Sequence, residues 1–445
     1  MEKEYDVIIV GTGPSGGTIA ARMARAGHEV LMLEKGAYHP EFLLGKQVSS
    51  LLCFDKLGLN FSKEGHLVAR AITVGGSALM SCGSATEPYP GMFEKVNVDL
   101  TEELKEAHAD MRIHNDFPDH LIGKGQLHLM EVANNLGFNF VKMPKFIDPD
   151  KCRPRCSCMK GCPTGAKWSG RVPVEEARNL RADLVTRTHV AKVIVEQGEA
   201  AGVETDKGKK YFGKTVVLSA GGLGSPLILR NSGVKGPGDK FGYDALWFTY
   251  GFNSQYPMIH DIDMGIVESS YLVSEGFVLS PVMHTWGLYL ASATIGGGWS
   301  YLPKFARFRQ AVSIMTKIKD DLGGRIHDDG TFSKPLTDND WAKLKRGQGL
   351  AIKILKASGC EPDSIFSCIP LAAHPCASVR IGDSIDTNFE SEIKNLFVCD
   401  TSSFPESMGL PCVWTCTALG IKMTKILEQR LGVSARETKL SQSTT

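Results

Sequence analysis

The chain has 445 residues, 42% hydrophobic and 22% charged, the balance of an ordinary globular protein long enough for two domains. Fifty basic side chains face 49 acidic ones, and the net charge of +1 excludes an overall field that draws the protein to nucleic acid. No apolar run reaches the ~18 residues that argue for a membrane span, so a membrane is not an expected partner.

Residues 5–10, YDVIIV, predict a short buried strand. A strand that starts there leaves no room for a signal peptide, so the expected compartment is the cytoplasm. GTGPSGG follows, then TIAARMARAG with helical periodicity, then HEVLMLEKG, a second strand ending at Glu34. This is a β-α-β unit in which Gly11, Gly13 and Gly16 form GxGxxG between strand and helix. The first glycine permits the tight turn, the second lets backbone approach a pyrophosphate, and the third lets helix and strand pack closely. The helix N-terminus then offers free N–H groups to the phosphates. Glu34 stands where a carboxylate takes ribose hydroxyls. A dinucleotide is the expected ligand; FAD and NAD remain open at this point.

Residues 101–115 and 124–137 predict helices. Residues 174–205 predict a helix followed by alternating strands, and 214–234 a strand, a Gly-rich turn and a helix. Residues 240–370 are less regular and suit a mixed substrate domain. Within them, 305–323 predicts a basic amphipathic helix with its apolar face on the core. Trp286, Tyr289, Trp299 and Tyr301 are equally good as pocket walls or core. Residues 394–405 predict a strand stopping at Asp400, residues 410–432 a closing helix, and 436–445 a polar tail.

Four blocks in order carry a family resemblance: the glycine fingerprint; VGGSALMSCGSATEP at 74–88; VVLSAGGLGSPLILRNSGV at 216–234; and HPCASVRIG with NLFVCDTSSFPESMGLPCVWTCTALG. Together they resemble the glucose–methanol–choline (GMC) oxidoreductases, in the branch that includes cholesterol oxidase. The resemblance implies FAD and an α/β fold: a doubly wound, Rossmann-like FAD-binding domain with a smaller α+β substrate domain. The expected FAD-binding segments are 1–100, 160–240 and 372–435. Residues 101–150 and 241–371 form the expected substrate domain, and 151–163 a Cys-rich loop. The resemblance places Gly75, Gly76 and Ser81 against the flavin, Asp400 on its ribityl–phosphate region, and Pro411 and Cys412 at a helix N-terminus aimed at the flavin. It makes His374 the base over the flavin, a task that suits histidine because it titrates near neutrality.

The chain departs from that pattern at two points. Pro411-Cys412 stands where the family has Asn-Pro, and Ser81 where it has asparagine. The second catalytic side chain is therefore expected elsewhere, with His284, Glu275 and Cys412 as candidates.

Cys152, Cys156, Cys158 and Cys162 lie within eleven residues. A reducing compartment disfavours disulfides. The spacing C-x3-C-x-C-x3-C matches neither the usual zinc pattern nor a ferredoxin run. From Lys151 to Val174 there are six basic residues and no acid, surroundings that lower thiol pKa and offset an anionic cluster. A [4Fe-4S] cluster is the favoured reading, with zinc or no metal as alternatives. GCPTGAK at 161–167 also resembles a stretch of the family's framework that needs no metal. The expected function is an FAD-dependent dehydrogenase oxidising a CH–OH group of a small alcohol. Electrons would leave through the cluster to an acidic carrier protein such as a ferredoxin or flavodoxin. A flavin-containing lyase and an FAD/iron–sulfur electron-transfer module are the alternatives.

Overall fold

In the computed structural model the described residues are 3–46, 48–154, 158–283, 289–290, 302–368 and 370–432. The first strand, Glu4–Val10, lies at the centre of a seven-stranded sheet. It pairs in parallel with Val30–Leu33 on one side and Lys210–Leu218 on the other. Asp183–Val185 extends the sheet beyond Val30–Leu33, and Leu396–Val398 pairs in parallel with the carboxyl end of Lys210–Leu218. The antiparallel strands Glu199–Thr205 and Val190–Glu196 complete the other edge. Val7, Ile8, Ile9 and Val10 are all buried. A parallel strand covered on both faces reads as such a continuous apolar run.

Three helices cover one another across small residues. Pro14–Arg25 begins with proline in its first turn, where a missing N–H costs nothing. Ser15 Oγ of that helix donates to Cys416 O of the closing helix Val413–Leu431 at 2.8 Å. A Cβ on Gly17 would stand 2.8 Å from Gly170 O, at the start of the helix Arg171–Asn179.

The second sheet has six strands. Phe277–Ser280, Ala311–Ile318, Ala245–Phe252, Leu371–Ala373 and Leu67–Ala69 lie in that order, and Phe366–Ser367 also pairs with Ala245–Phe252. Leu67–Ala69, from within the first hundred residues, thus belongs to this sheet. The 20-residue helix Asp338–Ala357, closed by a Thr337–Asp340 capping box, packs on it so tightly that a Cβ on Gly347 would meet Thr316 at 2.3 Å. No reading of the sequence anticipated this helix.

The helices expected at 101–115 and 124–137 are Thr101–Asp110 and Lys124–Asn135. The helix expected at 305–323 is a correction. Ala311–Ile318 is a strand with all eight residues buried, preceded by short turns. The basic residues spaced along 305–323 suggested a solvated helical face. Lys317 instead points into the protein, where its charge is paired. The polar tail and Trp286, Trp299 and Tyr301 lie outside the described residues. Tyr289 is fully buried against the Tyr250 ring, as a core residue. Among the described residues no helix is long and apolar enough to cross a membrane.

Candidate active site

The carboxyl ends of three parallel strands, Val10, Leu218 and Val398, meet at one edge. Ser219 joins them, its N–H donating to Val10 O and its hydroxyl to Cys399 O. Gly11 turns the chain there with φ +104, and a Cβ on it would lie 2.2 Å from Ser219 O. A Cβ on Gly16 would lie 2.1 Å from Gly11 O, so both positions admit only glycine. Gly13 is different, because a Cβ there meets nothing within 4 Å. Gly76 and Gly170 crowd the backbone of Gly13, and Gly75 (φ +94) crowds Arg171. Four glycines and a helix N-terminus thus form a cradle of bare backbone.

Glu34 sits at the floor of this cradle. Its carboxylate accepts from Thr12 N at 3.0 Å, from the Thr12 hydroxyl at 2.6 Å and from Gly36 N at 2.7 Å. Burial pushes its pKa up, and these bonds offset part of the rise. Asp400 also spends its oxygens on the protein, accepting from Gly221 N, Ser225 Oγ and Ser402 N at 2.6–2.8 Å. It ties the third block of the sequence to the fourth. Ser81 donates to Ala78 O in its own turn.

His374 follows the strand Leu371–Ala373 and adopts φ 54, in the left-handed region. The next residues are clamped: Thr401 Oγ1 donates to Pro375 O, and Ala377 N to Thr401 O. Behind the imidazole is an ionic cluster. His374 Nδ1 lies 3.1 Å from Asp244 Oδ2 and 2.9 Å from Lys317 Nζ. Lys317 Nζ is 3.0 Å from the same Asp244 oxygen. Asp244 Oδ1 accepts from Ser407 Oγ and Gly409 N, each at 2.9 Å. Ser407 also contacts Asp320, which pairs with Lys334 at 3.0 Å. Burial would raise the Asp244 pKa, but Lys317, His374 and the Gly409 N–H together hold it below the usual value. Among the described residues no hydrogen bond engages His374 Nε2, and the side chain is 31% exposed.

Cys412 caps the closing helix and is buried. The Cys416 thiol one turn on, with His374 and Lys317 nearby, lowers its pKa to about 6 against the effect of burial. Of the three residues considered for a second catalytic role, Cys412 is thus beside His374. Glu275 is bound to Arg346 on the surface, and His284 lies outside the described residues. Pro411 O accepts from Thr86 Oγ1, joining the second block to the fourth.

The sequence profile of the family described as GMC oxidoreductase matches residues 6–244. The chain belongs to the GMC oxidoreductases. It is 28% identical over 422 residues to an uncharacterized protein of Methanocaldococcus jannaschii, covering 95% of this chain and 99% of that one. It is 24% identical to a long-chain-alcohol oxidase of Arabidopsis thaliana, matching 91% of this chain but only 65% of the oxidase. Formate oxidase of Aspergillus oryzae shares the fold, with a TM-score of 0.73 at 15% identity over 97% of this chain and 99% of that one. As a GMC oxidoreductase the protein is an FAD-dependent flavoenzyme.

In this GMC oxidoreductase the Cys-rich loop lies over the segment 79–84. Lys167 Nζ, buried, donates to Leu79 O, Ser81 O and Cys158 O. Lys145, also buried, donates to Cys82 O, Ser84 Oγ and Asp263 O. Cys152, Cys158 and Cys162 line one cavity of about 200 Å3 with Lys167, Thr164 and Ile147. Cys156 lies outside the described residues. Two expectations need correction. The loop is acid-free in sequence but not in space, because Asp263 lies among Lys145, Lys167 and Cys158. Nor are its thiols generally lowered. Burial pushes Cys152 up to about 11 and Cys158 up to about 12. Of the three described thiols only Cys162 is lowered, its burial outweighed by Thr164 and Lys167. Among the described residues no three His, Cys, Asp or Glu side chains are arranged to hold a metal ion.

Sequence reasoning missed Asp244, Lys317 and Arg171. Lys317 carried a signal, a lone charge inside the otherwise uncharged run AVSIMTKI. Asp244 and Arg171 carried none.

Proposed function

We propose that the protein is an FAD-dependent dehydrogenase that oxidises a CH–OH group, with His374 as the base. The observation that carries this is the His374–Asp244–Lys317 cluster. When Nδ1–H donates to Asp244, the lone pair is on Nε2, ready to take the hydroxyl proton. The imidazolium so formed keeps its Nδ1–H on Asp244, beside Lys317, and can return the proton from Nε2. One buried cluster therefore supports both halves of a proton transfer at one atom. Bound FAD would supply the hydride acceptor. Gly11, Gly13, Gly16, Gly75 and Gly76 would hold it by backbone, and Glu34 would offer its remaining lone pairs to ribose hydroxyls. The cradle fits such a group, since a Cβ at Gly13 meets only open space.

The relatives named long-chain-alcohol oxidases favour an alcohol substrate. The cytoplasmic reading rests on the described cysteines, which are free thiols. Anaerobic addition of a panel of alcohols to the purified flavoprotein tests the reaction. Bleaching of the flavin band supports the dehydrogenase. Turnover with an unchanged spectrum supports the lyase instead.

A second reading sends the electrons through an iron–sulfur cluster in the Cys-rich loop to an acidic ferredoxin- or flavodoxin-like carrier. It is favoured by one observation, the three thiols that share a cavity. The described thiols are not arranged as a ligand set, so no electron step is assigned to them. Iron analysis of anaerobically purified protein decides the matter: near four per chain supports the relay, and none removes it.

A further inference from the structure

Arg171 is the first residue of the helix Arg171–Asn179 and is only 7% exposed. Its Nε, Nη1 and Nη2 are all buried without a hydrogen-bond partner. Its guanidinium lies over the Tyr38 ring, whose centroid is 4.4 Å from the guanidinium carbon. A ring face satisfies the flat side of a guanidinium and leaves its five N–H donors around the edge unused. A buried cation with none of its donors engaged is costly, and native proteins retain one only where a partner is supplied.

The surroundings say what kind of partner. A Cβ on Gly75 would stand 2.8 Å from Arg171 N, and one on Gly170 would stand 2.8 Å from both Gly13 C and Gly75 O. Arg171 therefore adjoins the bare backbone at the N-terminus of Pro14–Arg25, where a phosphate is favoured. His39 and Cys53 lie close enough to feel its charge, and neither supplies an anion at neutral pH: burial, with Arg171, depresses His39, and burial raises Cys53. The missing partner is an anion with several acceptor oxygens.

We infer that Arg171, whose guanidinium lies over the Tyr38 ring and whose backbone adjoins Gly75, is the charge partner of the FAD diphosphate. This deepens the cofactor reading above and rests on it. A planar fork matches phosphate oxygens in pairs, a geometry that lysine does not reproduce. The same placement makes the site selective for a dinucleotide flavin over riboflavin, which has no phosphate.

The test compares wild type with Arg171→Met and Arg171→Lys. Flavin release from the holoprotein and rebinding of FAD, FMN and riboflavin are followed by flavin fluorescence, and thermal unfolding is measured with and without FAD. Arg171→Met is expected to weaken FAD by roughly 10- to 100-fold, the range for charge-assisted hydrogen bonds, and to leave riboflavin binding unchanged. Arg171→Lys should recover part of the loss. The flavin-free Arg171→Met protein should unfold no earlier than flavin-free wild type, because an uncompensated charge has been removed. A merely structural arginine would instead lower both melting temperatures together and overturn the assignment. Equal FAD affinity in wild type and Arg171→Met would also overturn it. A shift confined to the KM of the alcohol, with FAD affinity intact, would assign the guanidinium to an anionic substrate. A wild-type chain that binds no FAD would overturn the cofactor reading itself.

Discussion

Lys317 Nζ stands 3.0 Å from Asp244 Oδ2, and neither side chain is more than 2% exposed. Lys317 lies on the strand Ala311–Ile318, Asp244 immediately precedes the antiparallel neighbour Ala245–Phe252, and the pair holds His374 from behind. Removing one member of such a pair leaves the other charge buried alone. Asp244→Ala should therefore destabilise the holoprotein by about 3–5 kcal/mol, read by urea unfolding. A loss below about 1 kcal/mol would mean that the cluster relaxes freely.

His374→Asn separates chemistry from folding. Asparagine is among the few residues that tolerate left-handed backbone, so the variant should fold and keep its flavin. Anaerobic reduction of that flavin by alcohol should slow by roughly 10²- to 10⁴-fold, the usual worth of positioned proton transfer. Reduction at the wild-type rate would move the base elsewhere.

Gly13 and Gly16 belong to one motif but should respond differently to alanine. Gly16→Ala drives a Cβ into Gly11 O at 2.1 Å, so the protein should lose stability with or without FAD. At Gly13 the added methyl meets nothing within 4 Å. Gly13→Ala should leave the flavin-free melting temperature almost unchanged and weaken FAD binding. Identical behaviour of the two variants, measured by melting and flavin titration, would contradict a cradle shaped for a cofactor.

Burial pushes Asp263 up to about 6 from a usual value of 3.8. The native state thus holds a proton that the unfolded chain has released. Stability from this group is full below about pH 4 and is lost as pH rises through about 6, by up to about 3 kcal/mol. Asp263→Asn lacks that proton equilibrium. Its stability relative to wild type should improve by about 2–3 kcal/mol between about pH 4.5 and pH 8. Parallel urea-stability profiles would show that Asp263 is not the titrating group.

The dinucleotide half of the fold was readable because its constraints are local. Gly11, Gly13 and Gly16 are spaced by one tight turn, and Glu34 ends the next strand. The half built on the second sheet was not, because its elements are decided by distant partners. Ala311–Ile318 contains Lys317 and resembles a solvated helix until Asp244, far back in the chain, supplies its counter-charge. The Cys-rich loop misled for the same reason, since the carboxylate among its cations is Asp263, about a hundred residues on. His374 was singled out only through a family pattern, and nothing in LAAHP itself marks a base. Arg171 was counted as one of six basic residues in a loop, and only its burial separates it from the others.

Asp400 has a further consequence, for the timing of biosynthesis. Its carboxylate joins Gly221 and Ser225 to Ser402, and the strand before it pairs with residues 216–218. The edge of the sheet on which the glycine cradle rests is therefore completed by a segment made long after the glycine loop. A nascent chain still on the ribosome before Asp400 emerges has the glycine loop but no finished site. However early it is made, the glycine loop is only part of a site that closes when these distant segments meet.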